Sequence, residues 1–135
     1  LIDPANASAI SESQAMILPV KQLAGGKCTI EPQSGALTGN ACLPQEAQSA
    51  VINIDGKEYL DIEVHLTGSR SSTVQFSPTL YNGYNQQDSF QLSSNQHLIN
   101  IGGTVTQTKT TSLLGNNTPI DDQQNVSYGI EVLYP

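Results

Sequence analysis

The sequence predicts an all-β protein, a β-sandwich of about seven or eight short strands. Three observations predict it. Short segments alternate apolar and polar residues, as half-buried strands do. Turn signals separate these segments roughly every ten residues. No segment of helical length repeats its apolar residues with the period of an α-helix. The composition agrees, because Ser, Thr, Asn and Gln supply 48 of 135 residues and favour strands, turns and caps.

The chain begins with a small, polar segment, "LIDPANASAISES", which predicts neither a helix nor a core strand. The first apolar run is "QAMILPV" (Gln14–Val20), where Pro19 indicates an edge strand or a bulge. A chain of 135 residues is most simply one domain. We therefore expect an N-terminal extension over residues 1–13 and a β-sandwich domain over residues 14–135.

The next elements are strands separated by turns. "KCTIE" (Lys27–Glu31) predicts a short strand, and Pro and Gly residues make 32–47 turns and loop. "SAVINI" (Ser49–Ile54) predicts a strand, and Asp55-Gly56 after it predicts a hairpin. The second strand of this hairpin is the clearest strand of the chain, because its two faces differ in polarity. The apolar face contains Leu60, Ile62, Val64 and Leu66, and the polar face contains Asp61, Glu63 and His65.

Four further strands and one loop complete the prediction. Strands are expected at Thr73–Leu80, Ser89–Leu92 and His97–Thr108, and 110–125 reads as a polar loop. In the third of these strands Ile99, Ile101 and Val105 share a face, and Gly103 indicates a gap or a bulge. The C-terminal segment "NVSYGIEVLYP" alternates with period two, which predicts a half-buried strand with these residues on its apolar face: Val126, Tyr128, Ile130, Val132 and Tyr134.

The net charge of −7 argues against two classes of partner. A nucleic-acid-binding protein needs clustered Lys and Arg, and here the five basic residues are scattered. Anionic membrane surfaces are disfavoured for the same reason. No apolar run approaches the roughly 18 residues that a membrane span needs. Because the chain opens on Leu1 without Met, we expect the mature form of an exported protein whose signal peptide has been removed.

The two cysteines, Cys28 and Cys42, enclose a loop that contains Gly and Ser. They are either buried free thiols or a disulfide, which would stabilise the fold by about 3 kcal/mol in chain-entropy estimates. The even count favours the disulfide and an oxidising compartment. A zinc site is not expected, because CxxC spacing is absent and His is scarce.

The sequence predicts no catalytic residues, no metal and no cofactor. His65 and His97 are the two candidate bases, and neither accompanies a nucleophile motif. Asp61 and Glu63 lie about 7 Å apart on one strand face, where outward-facing charges are commoner than a glycosidase pair. Acidic and amide residues near the C-terminus match no calcium-loop motif and predict a plain acidic loop: Asn116, Asn117, Asp121, Asp122 and Asn125.

One segment is a candidate binding loop. Tyr81, Asn82 and Tyr84 fall in a turn-rich stretch, and aromatic rings with polar groups suit contacts with glycans or proteins. An ordinary hairpin end is the alternative. Three N-x-S/T sequons, at Asn6, Asn116 and Asn125, matter only if the source glycosylates exported proteins.

The C-terminal strand resembles the ending of a family of exported bacterial β-domains of unknown function, which closes with a Y-x-G-x-hydrophobic-x-V-x-Y type of strand. The matching positions are Tyr128, Ile130, Val132 and Tyr134, with Gly129 one place early. "SAVINIDGKEYLDIEVHL" is similar to the core hairpin of that family, and "HLINIGGTVTQT" is similar to its "L-x-V-G-G-x-L-x-V" strand. The resemblance spans about residues 48–134, and its motifs are short.

That family resembles pilin-like subunits, which are incomplete Ig-like sandwiches completed by the N-terminal segment of a neighbour. The resemblance implies a structural subunit of an extracellular, cell-surface filament or matrix that binds copies of itself by donor-strand exchange. It further implies a periplasmic chaperone and an outer-membrane assembly protein as partners. The candidate donor residues are Leu1, Ile2, Ala5, Ala7, Ala9 and Ile10.

A donor segment should alternate large apolar residues, and residues 1–13 do so poorly. The alternative to the donor role is that residues 1–13 form a loose leader. The alternative function is a monomeric binding module that holds a glycan or a protein with loops 81–85 and 112–124.

Overall fold

The computed structural model describes residues 9–56, 59–71, 73–80, 86–92, 96–108 and 127–133. This part of the chain is all-β and contains no helix, which confirms the predicted fold class. It forms ten strands in two antiparallel sheets: β1 (Ala9–Gln14), β2 (Lys27–Ile30), β3 (Leu37–Thr38), β4 (Ala50–Asp55), β5 (Asp61–Thr67), β6 (Ser69–Arg70), β7 (Val74–Thr79), β8 (Gln87–Gln91), β9 (Gln96–Gln107) and β10 (Gly129–Leu133).

The larger sheet is organised around β9. The first half of β9 pairs with β4, which in turn pairs with β1. The second half of β9 pairs with both β2 and β7, and these continue to β3 and β6. The smaller sheet has the order β10-β5-β8. A single long strand therefore connects two groups of strands in one sheet.

Two adjacent glycines lie where β9 changes partners. A Cβ atom on Gly102 would lie 2.2 Å from the backbone oxygen of Ile30, and one on Gly103 would lie 2.6 Å from Cζ of Phe76. Neither contact is tolerated by real side chains. Gly103 is therefore a gap on the apolar face of a continuous strand, as predicted, and the ring of Phe76 lies over it.

The main core lies between β4 and β9 on one side and β5 on the other. The alternating residues predicted for β5 point inward, since Ile62, Val64 and Leu66 are at most 5% exposed. They pack against the inner faces of β4 and β9 in one cluster, which also includes Val132 of β10. This burial explains why the clearest alternating segment of the sequence becomes the central strand of the smaller sheet.

A second core covers the inner face of β2, β7 and the end of β9. Phe76, Cys28 and Val105 contribute to it from these strands. The predicted first apolar run covers it, because Leu18 and Val20 are fully buried there. This run is not a regular strand; it makes single bridges from Ile17 to Gln48 and from Val20 to Cys42.

The predicted hairpin at Asp55-Gly56 is wrong. β4 pairs with β1 and β9, whereas β5 pairs with β8 and β10, so the chain crosses from one sheet to the other after Asp55. The physical reason is that each strand has one fully apolar face. Placing these faces against each other buries both of them, which pairing within one sheet would not do.

Candidate functional site

A groove lies between the edge strands β1 and β10. Its volume is about 300 Å³. The larger sheet supplies one wall and the smaller sheet the other, with these lining residues: Ile10, Ser11, Glu12, Ile52, Ser127, Tyr128 and Ile130. The groove therefore lies between an edge of the larger sheet and an edge of the smaller sheet.

The first wall is β1, an edge strand that is packed unusually loosely. Among the described strands it pairs only with β4, with Ile10 opposite Ile54 and Glu12 opposite Ile52. Every described side chain of β1, from Ile10 to Gln14, is exposed, and Ile10 is 40% exposed although it is on the inner face. The backbone ladder to β4 therefore holds β1 with little help from side-chain burial.

The last residues of the predicted N-terminal extension belong to the larger sheet. Residues 9–13 belong to β1 and pair within their own chain. The strand has an irregular register between Glu12 and Gln14, and the side-chain amide of Gln14 donates a 2.8 Å hydrogen bond to the carbonyl of Ser49. Ala9 and Ile10 of the candidate donor are thus in a strand, while Leu1, Ile2, Ala5 and Ala7 lie outside the described residues.

The second wall is β10 with the residues just before it. β10 pairs only with β5 among the described strands, so its other edge faces the groove. Ile130 and Tyr128 are half-buried and Val132 is buried, in agreement with the predicted alternation. Val126 and Tyr134 of the predicted strand lie outside the described residues.

Tyr128 determines the chemistry of the groove floor. Its ring packs against Phe76 with centroids 6.2 Å apart, and it contacts both cores. Its hydroxyl is buried without a hydrogen-bond partner among the described residues. Burial of the phenol, and secondarily repulsion from Glu12, raise its pKa to about 12 from the ordinary 10.0. The groove thus combines apolar and polar lining residues with one buried hydroxyl that has no hydrogen-bond partner among the described residues.

This arrangement can bind an extended peptide. Two strands, each with one edge unpaired among the described strands, flank a groove of mixed polarity. Strand addition uses backbone hydrogen bonds for affinity and side-chain pockets for specificity. The groove holds no His, Cys, Ser–His pair or acidic cluster. Across the described residues, no group of three or more His, Cys, Asp or Glu side chains could hold a metal ion.

The disulfide is present between Cys28 and Cys42, with Cα atoms 5.0 Å apart. Cys28 is fully buried in β2, and Cys42 follows the tight turn at Gly39, where a Cβ atom would lie 2.2 Å from the carbonyl oxygen of Lys27. The bond ties the 27–42 loop to the second core, away from the groove. A disulfide of this kind is typical of proteins from oxidising compartments.

The remaining candidate residues are not brought together. His65 lies on the outer face of β5 and contacts Glu63, with Asp61 on the same face. His97 belongs to β9 of the larger sheet, and its ring stacks on that of Phe90 in β8 of the smaller sheet, with centroids 5.2 Å apart. The described residues contain no helix that is long and apolar enough to cross a membrane.

Several predicted features lie outside the described residues. They include the candidate binding loop at Tyr81, Asn82 and Tyr84, loops 81–85 and 112–124, the acidic loop at Asp121-Asp122, and the sequons at Asn6, Asn116 and Asn125. The roles suggested for them stay predictions. Glu12 and Ile52 were not predicted as groove residues, because their proximity to Ile10 follows only from the pairing of β1 with β4.

Comparison of the chain with protein-family models, with curated proteins and with solved structures finds no match. The resemblance to exported β-domains and pilin-like subunits therefore stays a prediction.

Proposed function

We propose that this protein is a non-enzymatic structural subunit of an extracellular filament or surface matrix, and that neighbouring copies join by exchanging β1. In this mechanism the first 14 residues of one copy occupy the edge of β4 in the next copy. A periplasmic chaperone and an outer-membrane assembly protein are the partners that such a mechanism uses before assembly. The disulfide fits the oxidising compartments through which an exported subunit passes.

The observation that carries the proposal is the loose packing of β1. A strand held almost entirely by backbone hydrogen bonds makes the same bonds with an identical edge on another copy. The described side chains of β1 are exposed, so little apolar burial opposes its departure. The strand that β1 covers is well buried, in contrast to β1 itself. Ile52 and Ile54 of β4 are at most 4% exposed, and they need a strand beside them.

The groove supports the same mechanism. Its far wall is β10, which has one edge unpaired among the described strands. After exchange, the folded domain that follows β1 in the donor copy lies next to the acceptor copy, so its side chains can approach this edge. Natural proteins protect edge strands with Lys, Pro or bulges. β1 has an irregular register, whereas the described residues of β10, "GIEVL", contain neither Lys nor Pro.

A cysteine pair across β1 and β4 distinguishes pairing within one chain from pairing between chains. Ser11 lies directly opposite Asn53. We would make the double variant Ser11→Cys/Asn53→Cys, oxidise it at increasing protein concentration, and separate the products on a denaturing gel without reductant. Opposed positions in antiparallel strands have Cβ atoms about 5 Å apart, which is close enough for a disulfide after a small shift.

The expected result is a ladder of covalent multimers that grows with protein concentration and collapses on reduction. The matched control is Ser77→Cys/Thr104→Cys, an opposed pair on β7 and β9, strands that do not exchange; it should stay monomeric. A second arm compares unboiled samples of the full chain and of a chain lacking residues 1–13, in which the ladder should be lost. Complete oxidation of the Ser11/Asn53 pair with every molecule in the monomer band would contradict the proposal.

A further inference from the structure

The outer face of the larger sheet carries two parallel rows of polar side chains. The first row crosses β3, β2, β9 and β7 with directly opposed residues: Thr38, Thr29, Thr104 and Ser77. The hydroxyls of Thr29 and Thr104 are hydrogen-bonded at 2.8 Å. The second row crosses β2, β9, β7 and β6: Lys27, Thr106, Gln75 and Arg70. We call these eight residues the hydroxyl face.

The hydroxyl face carries positive charge, although the protein as a whole has a net negative charge. Lys27 and Arg70 are exposed at the two ends of the second row, and neither row contains an acidic residue. Glu31 lies just past the end of β2, and Asp55 lies at the far end of the sheet. Arg70 donates a 3.0 Å hydrogen bond to Gln75, and the ion pair found among the described residues involves neither cation. In a chain of net charge −7, both positive charges are available to an acidic partner.

The outer face of the smaller sheet has the opposite character. Asp61, Glu63 and His65 of β5 point outward, and Glu131 of β10 lies directly opposite His65. Across β8 the neighbours are Gln87, Ser89 and Gln91. None of the described residues on this face is Lys or Arg. We call it the acidic face, and it lies on the other side of the sandwich from the hydroxyl face.

The charges on the two faces have matching separations. Lys27 and Arg70 are three strands apart, which corresponds to about 14 Å. Asp61 is four residues along β5 from His65, and Glu131 is one strand aside, which also corresponds to about 14 Å. Thr106 and Gln75 lie between the two basic residues, and Glu63 and His65 lie between the two carboxylates.

From this complementarity we propose that the hydroxyl face of one copy docks on the acidic face of a second copy, with Lys27 and Arg70 against Asp61 and Glu131. Because two different surfaces meet, the contact is heterologous, and each copy can add a further copy head to tail. It is a second contact between subunits, independent of β1. Exposed ion pairs are individually weak. A single docked pair of faces is therefore weak. The strength of the contact rests on the proposed function, because subunits already joined in a chain present many such contacts at once.

Charge reversal on each face separately gives a direct test. One variant, Lys27→Glu/Arg70→Glu, would have two acidic faces, and the other, Asp61→Lys/Glu131→Lys, two basic faces. Strand exchange through β1 does not use these residues, so we expect each variant alone to lose only the salt-sensitive lateral association that the wild type shows in sedimentation at low ionic strength. Mixing the two variants should restore it, because the reversed faces are again complementary. Raising the salt from about 0.05 M to about 0.5 M should weaken both the wild-type and the mixed association at least about tenfold.

The control is Lys21→Glu/Gln33→Glu/Gln45→Glu, which reaches the same net charge as the first variant through positions outside both faces; it should associate like the wild type. Thermal unfolding of each variant checks that it folds. Failure of the mixture to associate, while the wild type does, would overturn the proposal. So would a wild type that stays dispersed but binds alginate through Lys27 and Arg70, which would assign the hydroxyl face to an anionic polysaccharide.

The two proposals fail separately. Adding Ser11→Cys/Asn53→Cys to the charge variants reports strand exchange in the same samples. A covalent ladder without lateral association contradicts only the docking of faces, and lateral association without a ladder contradicts only the exchange of β1.

Discussion

Tyr128 tests whether the buried phenol hydroxyl at the groove is shielded from water. In the substitution Tyr128→Phe the ring keeps its packing against Phe76, and the buried hydroxyl without a partner is removed. An unsatisfied buried polar group destabilises a fold, so at neutral pH we expect the variant to be as stable as the wild type or more stable by up to about 1 kcal/mol. The larger effect should appear at high pH.

The sign follows from the pKa of the phenol. It is about 12 in the folded protein against 10.0 for an ordinary tyrosine, because burial disfavours the phenolate. The unfolded chain therefore loses this proton first as the pH rises above 10. The stability associated with the neutral phenol is complete below pH 10 and is lost as the pH rises towards 12.

The magnitude has an upper bound. At about 1.36 kcal/mol per pKa unit, the difference between the two pKa values corresponds to at most about 2.7 kcal/mol. The ring also faces an open groove, where solvent screens part of the effect, so we expect a loss of about 1–2 kcal/mol. The Phe variant has no phenol at this position and should not show that loss.

The assay is urea unfolding followed by circular dichroism at a series of pH values from 8 to about 11.5. The free energy of unfolding of the wild type should fall below that of Tyr128→Phe progressively above pH 10. Phenolate absorbance in the folded protein should contain a late-titrating component from Tyr128 that is absent from Tyr128→Phe. The control is Tyr59→Phe, since Tyr59 is 68% exposed and its ring is in water in both states. If the free energies of unfolding of the wild type and of Tyr128→Phe show the same dependence on pH, the phenol is solvated in the folded protein and its predicted burial is wrong.

Two further predictions concern the scaffold. Gly102→Ala should destabilise the fold by about 3 kcal/mol or more, because its Cβ would lie 2.2 Å from a backbone oxygen that cannot move freely. Gly129→Ala, whose Cβ would lie 3.6 Å from Thr67, is the matched control and should be neutral in the same thermal unfolding experiment. Replacing both Cys28 and Cys42 by Ala should remove about 3 kcal/mol by the loop-entropy estimate, measured by urea unfolding. Equal stability of the wild type with and without reductant would contradict it.

Local pattern predicted most strands correctly, because alternation reports directly which side chains are buried. β5, β9 and β10 were predicted from the period of their apolar residues, and the structure buries those faces. The hairpin at Asp55-Gly56 was wrong because a turn signal specifies local geometry and not the sheet that the next strand joins. β1 was missed because its side chains are exposed, so its sequence carries no apolar period.

The groove could be predicted only in part. Ile10, Tyr128 and Ile130 were among the predicted residues, but nothing in their sequence spacing brings positions 10 and 130 together. That meeting depends on which strands lie at the edges of the two sheets, and edge positions result from the pairing of the whole sandwich.

The sequence by itself determined the all-β class, the burial alternation of the central strands and the pair of cysteines that forms the disulfide. These follow from the chemistry of neighbouring residues, which acts over two to four positions along the chain. The tertiary structure alone decided that β9 joins two groups of strands, that β1 and β10 flank an open groove, and that basic and acidic residues collect on opposite faces. Strand order and sheet pairing come from long-range burial of apolar faces, and no local pattern encodes them.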